Sequence, residues 1–438
     1  MTSRPEWLHT GDEAMLRLFS VSMPRAGHHV AEMVLGQLLG AKFAYCEFYT
    51  IRNCCKQVPC SRMAAIAASG AVAFMQKSHD HNLTDPIAAA FNGVLVQVRE
   101  PEARALSNYE LDLATVGPPH SNAYQRYWLG MEAAYTTGFI RKWCTSGDDR
   151  FLTLHYEELV ADPVSYYRRI FTRFGLPSRY FDESKIALAQ SVSSGNKKPF
   201  RERDIRASAH FDPDNLSDFQ RLVVRAAAGL GYQANPQLMR GGTSPAVALI
   251  AEARQRMIEK DSDGALVALE SYLMLADAHV FGRRLRAQIL LSQGKPEAAE
   301  TELQAVIAGE AGHPRAYIDL AELQAQRGQP AAVQATLERC LANALDPGRA
   351  SEWILAAFTD PAVTALARGH AARPAVTRED VVAAFRFILG RDPEEDRVIE
   401  AHQNVASATE LRDILLRSTE FAEKYRKLVS EPAMDRGR

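Results

Sequence analysis

The 438-residue chain reads as an α/β fold, a parallel sheet flanked by helices, followed by an all-α repeat region and a small helical module. Three observations predict this. Apolar strand-like runs alternate with helical stretches up to about residue 235, the pattern of a parallel sheet. Residues 244–346 are rich in Ala, Leu, Gln and Glu and repeat themselves. Residues 347–438 carry separate helix start and stop signals. The length is too great for one ordinary core, so three domains are expected, at 1–240, 244–346 and 347–438.

Leu16 to Ser22 alternates with period two, then turns through Pro24 and Gly27 into a helical stretch, Val30 to Leu39. Ala71 to Met75 and Gly93 to Val98 are further strands, the latter almost continuously apolar, as befits a strand covered on both faces. A helix follows from about Pro101, where proline suits the first turn. Phe151 to Leu154 is another strand, and Phe174-Gly175-Leu176-Pro177 stops the helix beyond it. Asp162-Pro163 is a structural helix start.

After Gly241-Gly242-Thr243-Ser244-Pro245 the composition shifts. Gly294 and Gly328 lie 34 residues apart, as do Ala287 and Ala321, Ala298 and Ala332, and Leu303 and Leu337. This period resembles tetratricopeptide-like helical hairpins, with small residues where paired helices pack; Asp263-Gly264 opens a less regular unit, giving about two and a half repeats. A generic Ala-rich helical bundle is the alternative. Thr377 to Leu428 opens with a capping box, Thr377 to Asp380, and its Phe385-Arg386-Phe387-Ile388-Leu389-Gly390-Arg391-Asp392-Pro393 run resembles a helical module appended to bacterial surface-polysaccharide enzymes.

Composition narrows the function. The chain is 47% apolar and 24% charged with net charge −2, so it is globular and has no overall basic field for nucleic acid. No apolar run approaches the roughly 20 residues of a membrane span. Met1 to Glu13 is polar with no signal-peptide core, which predicts a cytoplasmic protein. Cys46, Cys54, Cys55 and Cys60 fall within 15 residues, with Cys144 and Cys340 further along. Without a C-x2-C pair or finger-spaced histidines they read as thiols, with metal or redox use as the alternative.

The chemistry-bearing segments begin with Met23-Pro24-Arg25-Ala26-Gly27-His28-His29. A strand, a tight turn and a helix start make a phosphate cradle from converging backbone N–H groups and the helix dipole. The Walker pattern G-x-x-x-x-G-K-[ST] is absent, which speaks against a nucleotide-kinase-like phosphoryl transferase. Strand 94–98 ends in Arg99-Glu100-Pro101, and Ser107 follows Arg99 by eight residues. Arg offers a planar fork of donors to a phosphate and Ser adds a hydroxyl. Lys77-Ser78-His79 ends the intermediate strand, and a histidine suits proton removal near neutral pH, with Asp80 and His81 as rivals. Tyr156 opens Tyr156-Glu157-Glu158-Leu159-Val160-Ala161-Asp162-Pro163.

In this order the segments resemble sulfotransferases that use 3′-phosphoadenosine-5′-phosphosulfate (PAPS), over about residues 15–235. The resemblance implies a P-loop-like sheet and PAPS as co-substrate, with no metal. It implies His79 as base with Arg25 and Lys77 stabilising developing charge. Pro24, Arg25, Ala26, Gly27, His28 and His29 would hold the 5′-phosphosulfate, Arg99 and Ser107 the 3′-phosphate, and Tyr156 the adenine. Lys197, Lys198 and Arg201 fall where the family has a basic closing loop, although a solvated loop explains them equally. Arg25 stands where many members have Lys, and His28-His29 replace two hydroxyl residues. The implied acceptor is a hydroxyl or amine of a glycan, lipid or protein, with a further protein partner on the helical repeats and no nucleic acid. A non-catalytic scaffold with a degenerate site is the alternative.

Overall fold

The computed structural model describes residues 15–47, 55, 57–87, 89–115, 118–191, 204–238, 244–371, 376–403, 405, 408–416 and 418–421. It divides into two compact units, residues 1–113 with 119–294, and 114–118 with 295–438.

The first unit is built on five strands: β1 (Leu16–Ser22), β2 (Phe43–Glu47), β3 (Ala73–Ser78), β4 (Gly93–Val98) and β5 (Phe151–His155). They pair in the order β2-β3-β1-β4-β5, every pair parallel. β1 is central, and the strands beside it, β3 and β4, lie on opposite sides. The C-terminal end of β1 is therefore a topological switch point, where open α/β sheets form their ligand crevice.

Strand alternation divides the β1 side chains between two cores. Leu16 and Leu18 join Val34, Leu35 and Leu38 of α1 (His28–Leu39) on one face. Phe19 and Val21 join Phe74, Phe91, Phe139 and Trp143 on the other. α2 (Met63–Ala68) precedes β3, and α3 (Pro101–Thr115) and α4 (Asn122–Phe139) follow β4. After β5 come α5 (Tyr156–Ala161), α6 (Pro163–Phe174), α7 (Glu183–Ser191) and α8 (Pro213–Ala228). The Asp162 carboxylate caps α6 by accepting from the Ser165 amide, with Pro163 in the first turn, and α6 ends at Gly175 in the left-handed region.

Two features of the first unit differ from the sequence reading. The expected strand 71–75 runs instead from Ala73 to Ser78, so Lys77 lies within it. The strand can hold a buried lysine because β2, unpredicted from the sequence, pairs beside it and sets Glu47 opposite Lys77. Helices α9 (Pro245–Ile258), α10 (Ser262–Leu273) and α11 (Phe281–Ser292), read with the repeats, belong to the compact unit of the sheet. α9 lies against α4 so closely that a Cβ on Gly130 would come 2.7 Å from Ile250 Cβ.

The second unit continues with α12 (Pro296–Gly309), α13 (Pro314–Gln326), α14 (Pro330–Asn343), α15 (Pro347–Ala357) and α16 (Pro361–Ala371). Of the residues 34 apart, Leu303 and Leu337 are fully buried, as are Ala287 in the first unit and Ala321 in this one. Ala298 and Ala332 are not core positions: the next residue in each helix, Ala299 and Val333, faces inward instead. At this one pair the inward-facing position lies one residue later than the 34-residue spacing implies. α17 (Arg378–Ala384) begins with the expected capping box of Thr377 and Asp380. With α18 (Asp396–Gln403) and α19 (Ala408–Leu416) it closes a small core around Val381, Phe385, Leu389, Ile399, Leu411 and Leu415. Among the described residues, no helix is long and apolar enough to cross a membrane.

Candidate functional site

The segment between β1 and α1 turns sharply because two of its residues adopt positive φ, Arg25 at 68° and Gly27 at 88°. Glycine tolerates this freely; arginine pays about 1–2 kcal/mol, so the surroundings must hold it. Arg99 Nη1 donates to the Arg25 carbonyl (3.2 Å), and Arg25 Nε donates to Ser107 Oγ (3.1 Å). The Met23 amide bonds to the Gln97 carbonyl of β4 at 3.1 Å. Pro24 and Ala26 are buried beneath the turn. Gly27 is also the N-cap of α1, its carbonyl accepting from the Val30 and Ala31 amides (3.0 and 3.2 Å), so the positive end of the helix dipole opens onto the loop.

Arg99, Ser107 and Tyr156 meet on the β4 and β5 side of this loop. The Arg99 guanidinium sits 4.7 Å from the centre of the Tyr156 ring. That ring lies directly against the loop, since a Cβ on Gly27 would come 2.8 Å from Tyr156 Cδ2. Arg99 and Ser107 are nearly buried, at 9% and 8% exposure. Glu157 braces the junction by accepting from the Glu100 amide (2.8 Å) and from the Tyr232 hydroxyl (2.8 Å).

On the β3 side stand Lys77 and His79. Lys77 Nζ donates to Glu47 Oε1 at 2.6 Å and to His29 Nε2 at 3.2 Å. His79 Nδ1 lies 2.7 Å from the Ser22 carbonyl. A carbonyl only accepts, so Nδ1 carries the proton and Nε2 is the ring's basic nitrogen. Burial, followed by the Lys77 and His81 charges, holds the His79 pKa well below the usual imidazole value. The Tyr135 hydroxyl donates to the His79 carbonyl (2.5 Å), fixing its backbone.

The two histidines of the loop differ. His29 is half exposed beside Lys77. His28 turns inward, its Nδ1 3.2 Å from Ser20 Oγ and Nε2 3.4 Å from the Tyr45 hydroxyl. Burial, then the Lys77 charge, lowers its pKa strongly, so its ring is neutral at pH 7. Of the rivals to His79, Asp80 is tied to Lys142 Nζ (2.6 Å) and Trp143 Nε1 (2.9 Å), and His81 is exposed with its ring 5.4 Å from that of His79. Lys197, Lys198 and Arg201 lie outside the described residues.

Sequence reasoning missed Glu47, Ser22, Tyr45 and Glu157. Only Glu157 left a trace, inside the Tyr156-Glu157-Glu158 run. The site thus presents cationic and hydroxyl groups on both sides of one loop, Arg25, Arg99 and Ser107 toward β4 and Lys77 toward β3, with His29 and the basic Nε2 of His79 beside Lys77. Such an arrangement can hold an anion with two negatively charged ends and accept a proton beside one of them.

The Tetratricopeptide repeat family model matches residues 290–351. No curated protein matches the chain. Among solved structures, the chain is similar to a mouse sulfotransferase, SULT7A1, complexed with PAP, at 16% identity and a TM-score of 0.31. That match covers 61% of this chain and 92% of that one.

Proposed function

We propose that the sheet-bearing unit transfers a sulfuryl group from PAPS to a hydroxyl or amine of a glycan, lipid or protein acceptor. The observation that carries this reading is the bonded set of Arg99, Arg25 and Ser107, which ties a strained loop at the sheet's switch point to a second group of donors on β4 and α3. PAPS has a phosphate at each end of its ribose, and two donor groups joined by one loop match it.

In the proposed reaction the acceptor oxygen attacks sulfur, and its bond to sulfur forms as the bond from sulfur to the 5′-phosphate oxygen breaks. That oxygen keeps the electron pair, and the acceptor proton passes to His79 Nε2. Loop amides, Arg25 and Lys77 stabilise charge on the sulfuryl and bridging oxygens, much as in phosphoryl transfer. Arg25 acts as a fixed cation and not as a proton donor. Arg99 and Ser107 bind the 3′-phosphate, and Tyr156 packs against the adenine. The helical repeats offer a surface for a protein partner.

A binding-only scaffold is the second reading. It is favoured by Lys77 being engaged by Glu47. Thermal unfolding with 3′,5′-adenosine bisphosphate and with ATP tests the shared premise. Stabilisation by the bisphosphate alone supports it, and equal or absent shifts with both sink it. Turnover of radiolabelled PAPS across an acceptor panel separates enzyme from scaffold.

A further inference from the structure

Away from the loop, on the opposite face of β2, three sulfurs converge. The Sγ atoms of Cys46, Cys55 and Cys60 all lie within 4.8 Å of one another. They reach this point from separate stretches: Cys46 from the edge strand, Cys55 and Cys60 from the chain before α2. Cys46 and Cys60 are 2% and 3% exposed, while Cys55 is partly open to solvent.

The surroundings hold the trio in place. Gln76 of β3 is fully buried; its Oε1 accepts from the Cys60 amide (2.8 Å) and its Nε2 donates to the Gln57 carbonyl (2.7 Å). The chain carrying two of the sulfurs is therefore fastened to the sheet by one side-chain amide. Arg62 lies against the sulfurs of Cys60 and Cys46. Cys46 and Cys60 belong to the same apolar core as Phe74, with Cys55, Val58 and Met63 packed against it.

We propose that Cys46, Cys55 and Cys60 are three ligands of a structural zinc ion. A disulfide would use two sulfurs and leave the third without a role. Three soft donors at mutual reach suit a tetrahedral zinc, whose bonds of about 2.3 Å place sulfurs roughly 3.8 Å apart, so a small contraction completes the set. Each thiol loses its proton to solvent on binding, and a fourth donor completes the tetrahedron. Three thiolates around a divalent ion leave one negative charge, which Arg62 offsets. Successive residues of a strand face opposite ways, so Cys46 secures the strand whose next residue, Glu47, meets Lys77. The clustering in sequence raises metal use only as an alternative, because the ligands assemble only when β2 and the chain before α2 meet.

Metal analysis of the full chain, grown with zinc and purified without chelator, tests the proposal. The expected content is about one zinc per chain, as for a structural site. Cobalt replacement is expected to give intense tetrahedral d–d bands with thiolate-to-metal charge transfer, a readout that needs no variant. Cys46→Ala and Cys60→Ala should bring the metal to background, while Cys340→Ala, in the repeats, should retain it. Zinc-free protein, zinc equally retained by Cys46→Ala and Cys60→Ala, cobalt spectra without sulfur ligation, or a Cys55–Cys60 disulfide in mass spectrometry would each overturn it. None of these readouts depends on sulfuryl transfer.

Discussion

Lys77 and Glu47 form an ion pair across β3 and β2, with Nζ 2.6 Å from Oε1 and the lysine side chain 2% exposed. The pair explains how a lysine can occupy an inner strand of the sheet. Taking an ammonium out of water is costly, and a close carboxylate offsets that cost.

Removing the carboxylate should therefore cost more than a surface mutation. Glu47→Gln is expected to destabilise the fold by about 3 kcal/mol, since it leaves a buried cation without its counter-charge. Urea unfolding measures this. A change below about 0.5 kcal/mol, the range of ordinary surface substitutions, would show that Lys77 does not need Glu47.

Arg99 and Ser107 should divide their effects according to charge. Arg99→Ala is expected to weaken binding of 3′,5′-adenosine bisphosphate by about 10- to 100-fold, the worth of charge-assisted hydrogen bonds. Ser107→Ala should weaken it by about fivefold, as for a neutral bond. Calorimetric titration reads both. Unchanged affinity in Arg99→Ala removes it from the phosphate site.

His79 carries the pH prediction. Its pKa is depressed by burial and by the Lys77 charge, so it remains a neutral base as pH falls through the ordinary imidazole range. The acid limb of the kcat/KM profile should lie below pH of about 6.5, the unperturbed value. His79→Ala should lower kcat by about 10²- to 10⁴-fold with bisphosphate affinity unchanged. Full turnover in that variant would eliminate His79 as base.

Stability should follow the same sign. His28 and His79 both have folded pKa values well below the unfolded one, so the unfolded chain takes up protons first as pH falls. Their contribution is fully present above pH of about 6.5 and is lost as pH falls from there toward the folded values. The limiting slope is about 1.4 kcal/mol per pH unit for each histidine. Denaturation midpoints that stay flat between neutral pH and pH of about 5 would contradict the burial of both rings.

Gly27→Ala should damage the loop in two ways. The backbone there is left-handed, costing about 1 kcal/mol for any side chain, and the new Cβ would meet the Tyr156 ring at 2.8 Å. Since Tyr156 also packs on Arg99, bisphosphate affinity should fall along with the melting temperature. A variant with wild-type affinity would separate Tyr156 from the nucleotide site.

Local order along the chain is enough to locate β1, β4 and β5, the turn at Pro24 to Gly27, the α6 caps at Asp162 and Gly175, and the capping box at Thr377. Each depends on residues within a few positions of one another, where periodicity and backbone preference act directly. The eight-residue step from Arg99 to Ser107 is implied by the family resemblance and not by local periodicity. The strand order decided the rest. Glu47 is 30 residues from Lys77, and the Ser22 carbonyl that sets the His79 tautomer is 57 residues away. Such pairs exist only because β1, β2 and β3 lie side by side, and no local pattern encodes that adjacency. Cys46 meets Cys55 and Cys60 for the same reason, through a strand whose short, half-buried sequence gives no signal until a neighbour covers it.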